Sequence, residues 1–216
     1  MPRSAVPSRA SRTPSSSSPS ESGLEEETPV PDIYNAIGMI ELSSIATGYT
    51  VQDAMLKAAD VKLLVARTIC SGKYMVLCGG DVAAVTASVG AGADAAGRGL
   101  IDRLVIPNVH PQVFPALAGT VELKHDTVGA LGILESFSVV AGIQGADAAV
   151  KTSDVTLFRL HAAMAIGGKA YMLLTGSVAD VTAAVEAGAQ TIGELGMLVS
   201  KQVIPRPRAE LFRDFI

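Results

Sequence analysis

The sequence predicts an α+β protein built from two similar βαββαβ units of ferredoxin-like type in tandem, and three observations carry that prediction. A cassette of strand, glycine-containing turn and strand, Arg67-Thr68-Ile69-Cys70-Ser71-Gly72-Lys73-Tyr74-Met75-Val76-Leu77, returns 96 positions later as Ala165-Ile166-Gly167-Gly168-Lys169-Ala170-Tyr171-Met172-Leu173-Leu174. Upstream of it, Gly38, Glu41, Gly48, Asp53, Ala54, Lys57, Asp60 and Val61 are answered 94 positions later by Gly132, Glu135, Gly142, Asp147, Ala148, Lys151, Asp154 and Val155. A constant offset over so many landmarks marks an internal duplication. Third, a 216-residue chain that is 49% hydrophobic has room for one or two cores.

Composition also excludes several function classes. A net charge of −4 is too small and too acidic for a nucleic-acid binder, and the absence of Trp removes the best stacking platform for single strands. Two cysteines without a secretory leader point to a reducing compartment. No apolar run approaches the ~20 residues that span a bilayer. The expectation is a soluble, cytosolic protein.

In chain order, residues 1–35 form a tail rich in Ser, Pro and Glu, too polar to offset the entropy cost of ordering, and they are expected to be disordered. The first unit, 36–118, opens with the apolar strand Ala36 to Glu41. A helix follows from about Val51 to Ala59, with Thr50 and Asp53 as a capping box. Val61 to Thr68 and Lys73 to Cys78 are the next strands, and Gly79-Gly80-Asp81 turns the chain into a second helix with Val82, Val85 and Val89 on one face and Asp81 as N-cap. Glycines 90, 92, 97 and 99 loosen that helix's end, Ile101 to Ile106 is a fourth strand stopped by Pro107, and His110 to Leu117 is a short closing helix. A linker over 119–129 leads to the second unit, 130–216, which repeats the order with Ser177 as the equivalent cap. Two such units in one chain are expected to pack side by side as a pseudo-dimer.

Little catalytic chemistry is visible. The run Gly90 to Gly97 fails the G-x-G-x-x-G spacing and ends a helix where a strand-to-helix turn is needed. His110, His125 and His161 are scattered, without the spacing of a zinc site, and no Ser, His and Asp set suggests a nucleophile. Glu41 and Glu135 look like a carboxylate pair but are better explained as one structural role repeated. Cys78 falls inside a strand and reads as a small buried side chain. Cys70 sits at the turn, where the second unit has Ile166 and where packing has little need of a thiol. One such cysteine per chain cannot hold a cluster alone, whereas a threefold assembly would bring three to one point.

The residues that carry a family likeness are Ala36 to Glu41, Asp53 to Val61, Gly72-Lys73-Tyr74 with Gly80 to Val85, and Val203-Ile204-Pro205-Arg206-Pro207. Over residues 36–216 the chain resembles the shell proteins of bacterial microcompartments, and among them the tandem-domain tiles that assemble as trimers imitating hexamers. The turn Thr68 to Lys73 is similar to that of the T-type tiles of propanediol-utilisation compartments. The resemblance implies two BMC domains, a pseudohexameric homotrimer, other shell proteins as lateral partners, and no enzymatic activity. It implies a central pore lined by Ile69, Ser71, Gly72, Ile166 and Gly167. It further implies a 4Fe-4S cluster, one per trimer, with Cys70 as the metal ligand from each chain, serving electron transfer or cluster delivery across the shell with a redox enzyme as a further candidate partner. The alternative is an unmetallated pore that conducts a small metabolite. Lys57, Lys151 and Arg206 would lie on the tile edge, with Asn108 replacing the arginine in the first unit.

Overall fold

The computed structural model describes residues 34–123, 129–163 and 166–212. The expected disordered tail, apart from its last two residues, and residues 124–128 of the expected linker lie outside them. Two four-stranded antiparallel sheets form, one per unit. The first contains β1 (Ala36–Leu42), β2 (Lys62–Ile69), β3 (Lys73–Gly80) and β4 (Leu100–Pro107) in the order β2-β3-β1-β4. Its helices are α1 (Ile45–Ala58) and α2 (Val82–Ala96), and α3 (Val113–Ala118) follows β4. The second unit repeats this with β5 (Ala130–Ser136), α4 (Val139–Thr152), β6 (Thr156–Ala162), β7 (Ala170–Gly176), α5 (Val178–Glu194) and β8 (Leu198–Ile204), in the order β6-β7-β5-β8. Both sheets have the βαββαβ topology expected from the repeat.

Several boundaries differ from the sequence expectation. α1 begins at Ile45, capped by the Ser44 hydroxyl accepting from the Thr47 amide at 3.4 Å, so Thr50 and Asp53 sit inside the helix instead of starting it. Ser138 caps α4 in the same way. Gly79 and Gly80 continue β3 and form no turn, because Asp81 caps α2 directly with its carboxylate on the Ala84 amide at 2.8 Å. α2 runs through Gly90 and Gly92 without loosening and stops at Gly97, whose φ of +50° no helix accepts. Val85 and Val89 face the core, but Val82, in the first turn, is exposed. The short closing helix starts at Val113, three residues later than read from the sequence.

Each sheet alternates its side chains between two packed faces. Ile40, Leu42, Val76 and Cys78 pack with Val51, Met55, Val85 and Val89 of α1 and α2. The alternate set Ile37, Met39, Met75, Leu77, Leu104 and Ile106 belongs to a second cluster that passes through Val109, Val113 and Ala116 into the core of the other unit. The two units therefore share a core. Within the second unit α4 and α5 come close because glycines face one another: a Cβ built on Gly188 would meet the Gly145 carbonyl oxygen at 2.8 Å. Gly193, on the same helix, has open space around it.

Gly188→Val is expected to destabilise the protein by about 1–3 kcal/mol through overpacking against backbone that cannot yield. Gly193→Ala is expected to stabilise it by up to about 1 kcal/mol through helix propensity. Urea unfolding followed by circular dichroism measures both, and a tolerated Gly188→Val would show that the helices are not held at this separation.

Candidate functional site

Three features of the chain converge at the junction of the two units: the turn after β2, the turn after β6, and the segment after β4. The first turn is a short 3-10 helix, Cys70–Gly72, closed by Gly72 at φ +72°. The second is longer by two residues, and among its described residues Ala163, Gly167 and Gly168 have positive φ. Strand pairing locates the extra residues: Thr68 faces Tyr74 across the first turn, and their counterparts Ala162 and Ala170 face each other across the second. Beyond the turns the repeat is faithful. Lys73 Nζ donates to Glu41 Oε1 at 2.7 Å and Lys169 Nζ to Glu135 Oε1 at 2.8 Å. The two glutamates thus hold the base of each turn, the repeated structural role inferred from the sequence.

The structure brings the turns together. Cys70 is half-buried, and its thiol donates to the Ala163 carbonyl at 3.5 Å. Gly72 and Gly167 are exposed and Ile166 is half-buried, while the Ser71 side chain lies outside the description. Ile69 is buried and packs into the shared core, so its side chain is turned away from the turn surface. Cys78 is buried as expected, beside Ser88, and burial pushes its thiol pKa up, which disfavours its thiolate. No group of three or more His, Cys, Asp or Glu side chains able to hold a metal occurs among the described residues.

The segment after β4 reaches over the second unit. The Gln112 side chain donates to the Val155 carbonyl at 2.9 Å and accepts from the Leu157 amide at 2.8 Å, satisfying the outer edge at the start of β6. The His110 amide donates to Asp147 Oδ1 at 2.7 Å, and Asp147 Oδ2 accepts from Lys151 at 2.6 Å. None of this was legible in the sequence: an edge strand met by a glutamine side chain is a contact 45 residues apart with no motif.

Equivalent surfaces of the two units consequently differ in exposure. The Asp147 side chain is 11% exposed, whereas that of Asp53, its counterpart paired with Lys57 at 2.6 Å, is 62% exposed. Ile45 and Tyr49 are 39% and 64% exposed, and their counterparts Val139 and Ile143 are buried. Leu211, which answers Val113 98 positions on, is exposed while Val113 is buried. Lys57 is on the outside of α1, Lys151 adjoins the junction through Asp147, and Arg206 sits at φ +50° beside Gly176 and Ser177. Asn108, in the position of Arg206, has φ +53°, so the same backbone kink follows both prolines despite the different side chains.

A model of the BMC domain matches residues 36–109 and again 130–207. The chain belongs to the bacterial microcompartment shell proteins. It is 49% identical over 181 residues to the bacterial microcompartment shell protein PduT of Citrobacter freundii, a match covering 84% of this chain and 97% of that one. It is 28% identical over 186 residues to the carboxysome assembly protein CcmO of Synechococcus elongatus, over 82% of this chain and 67% of the relative. A crystal structure of a microcompartment protein from Desulfitobacterium hafniense superposes with a TM-score of 0.80 at 48% identity, covering 82% of this chain and 98% of that one. The two matches within one chain are the tandem BMC domains that the family resemblance implied, and these relatives are structural proteins, which agrees with the expectation of no enzymatic activity.

Gln112→Ala removes two hydrogen bonds and leaves a buried edge without partners, at an expected cost of about 1–3 kcal/mol. Hydrogen exchange should show the Leu157 amide losing protection relative to the amides shared by β5 and β7. Unchanged protection at Leu157 would mean that water or another group replaces the glutamine without loss.

Proposed function

We propose that this chain is a trimeric tile of a bacterial microcompartment shell within the cytoplasm, flanked laterally by other shell proteins. The observation that supports the reading is the unequal exposure of equivalent surfaces. Residues 108–118 of the first domain cover β6 and α4 of the second, while the matching surface of β2 and α1 stays open on the first domain. Leu211, on the segment that would cover it, stays exposed on the second domain. A surface and its complement on opposite ends of one chain make a heterologous interface, which repeats head to tail until rotation closes the ring. Six domain positions around a pseudo-sixfold axis need three chains. Lys57, Lys151 and Arg206 then serve the contacts between neighbouring tiles, unequally because Asn108 replaces the arginine in the first domain.

On that assembly the turn of residues 69–72 from each chain meets the axis. The donor chemistry suits an iron–sulfur group: Cys70 offers a soft thiolate at a partly exposed turn, and three chains offer three. A 4Fe-4S cluster held by Cys70 from each chain would supply one-electron chemistry or a deliverable cluster at the shell. Three crowded thiolates without a cation would raise one another's pKa, and coordination removes that conflict. Gly72 at φ +72°, with nothing within 4 Å of a Cβ built on it, leaves room on the turn surface.

Leu211→Asp is expected to convert the trimer, seen by light scattering, to monomers that keep their circular dichroism spectrum. A wild-type chain that remains monomeric at micromolar concentration would overturn the tile reading.

Protein reconstituted anaerobically with iron and sulfide should hold one cluster per three chains. Cys70→Ser should lose the iron and the colour but keep the trimer, and Cys78→Val should keep both. If Cys70→Ser binds iron and sulfide as the wild type does, the assignment to Cys70 is wrong; if the wild type holds well under one cluster per three chains, an unmetallated central pore conducting a small metabolite is the better account.

A further inference from the structure

Arg67 of β2 and Arg159 of β6 meet at the junction of the two domains. Arg67 Nη2 donates to the Ala162 carbonyl at 2.7 Å, but its Nε–H is buried and finds no acceptor among the described residues. A buried donor without an acceptor is costly, and an unsatisfied group in a native structure calls for an explanation. The Arg159 guanidinium lies against Gly119, where a Cβ would come within 2.5 Å of its Nη1, so this glycine at φ +69° makes the room the arginine occupies. Neither arginine forms an ion pair with a carboxylate among the described residues. Burial first, and the like charge of Arg159 second, push the Arg67 guanidinium pKa below its usual range.

The two side chains line a partly enclosed cavity of about 100 Å³, together with His161, Leu117, Gly119 and Ala162. That volume has room for several waters or one compact tetrahedral ion. Guanidinium groups offer their donors in planar forks that match oxyanions two atoms at a time. We propose that this cavity binds a small oxyanion of the phosphate class, held between Arg67 and Arg159 with His161 in its wall, which clasps the two domains together beside the turns. The site is confined to the junction within one chain. By the repeat, His161 answers Arg67 and Val65 answers Arg159, so an equivalent contact between chains would lack both guanidiniums. It therefore stands whether or not the trimer forms, and there is one such site per chain.

Isothermal titration of inorganic phosphate into the full-length protein, at constant ionic strength set with chloride, tests the assignment. Saturable binding at one site per chain is expected, weakened at least about tenfold by Arg159→Gln or Arg67→Gln, the loss of one charge-assisted hydrogen bond or more, and unchanged by Lys57→Gln. Tighter binding of a small phosphomonoester than of phosphate would assign the site to a phosphorylated metabolite, and the reverse to the free ion. Should either arginine variant fail to fold, the melting temperature of the wild type decides: it rises with the logarithm of phosphate concentration, as for a bound ligand, if the site is real, and only linearly, as for a salt excluded from the surface, if it is not. Absence of saturable binding to the wild type, or equal affinity in a folded Arg159→Gln, overturns the proposal.

Discussion

The coverage of the second domain's outer edge by the segment after β4 is the constraint on which the rest of the molecule depends. β6 ends its sheet, and an open sheet edge presents unpaired amides and carbonyls that either recruit another chain or must be covered. Gln112 supplies one donor and one acceptor to the backbone at Val155 and Leu157, and α3 lies over the same strand. Val113 and Ala116 then fall into the cluster that also contains Met39 and Leu77 of the first sheet and Leu157 and Leu160 of the second. A single short segment thus gives the sheet edge its partners and makes two duplicated domains one body. What the first domain gives, it does not receive: β2, the counterpart of β6, stays half-exposed along most of its length.

The duplication was legible because it is written in side chains with local roles. The offset of 94 places Glu41 and Glu135 on equivalent strands, and the change to 96 places Lys73 and Lys169 opposite them, which the two ion pairs bear out. The two added residues lie in the second turn, where strand register requires them. α1 starts earlier than the sequence expectation for a physical reason. Gly48 inside α1 argues against a helix on propensity, yet a Cβ there would collide with the Tyr74 ring, and in α4 Gly142 makes the same allowance for Ala170. Tertiary packing overrode propensity in both domains. Gln112, Arg67 and Arg159 were not legible at all, since each acts on a partner brought near only by the junction.

The same comparison explains why the two domains have diverged where they have. Positions that hold a sheet or cap a helix have one task in both copies and remain alike, as Asp81 and Ser177 do at the starts of α2 and α5. Positions at the junction have different tasks, because one copy covers and the other is covered. Glu210 stands where Gln112 stands in the first domain and pairs with its own neighbour Arg208, an arrangement that holds its carboxyl below the usual range. An amide can both donate to and accept from a strand edge, whereas a carboxylate can only accept. Contacts made by the two ends of the chain are therefore chemically unequal even where the backbone repeats.

That inequality bears on the turns. In a ring of six identical domains every turn reaching the centre would carry the same residue, and a cysteine there would appear six times. Tandem fusion separates the two copies, so a thiol at Cys70 is opposed in the second copy by the longer, glycine-bearing turn of Ile166, Gly167 and Gly168. The Ala163 carbonyl of that turn accepts from the Cys70 thiol, which places one cysteine turn and one glycine turn side by side within each chain. On the proposed trimer the centre is then surrounded by alternating turns, with three thiols in place of six. Three thiols, and not six, are then offered to the proposed metal group, and Gly167 and Gly168 put no side chain on the turns between them. Duplication followed by divergence of one turn would then permit the proposed threefold ligand set on a sixfold scaffold.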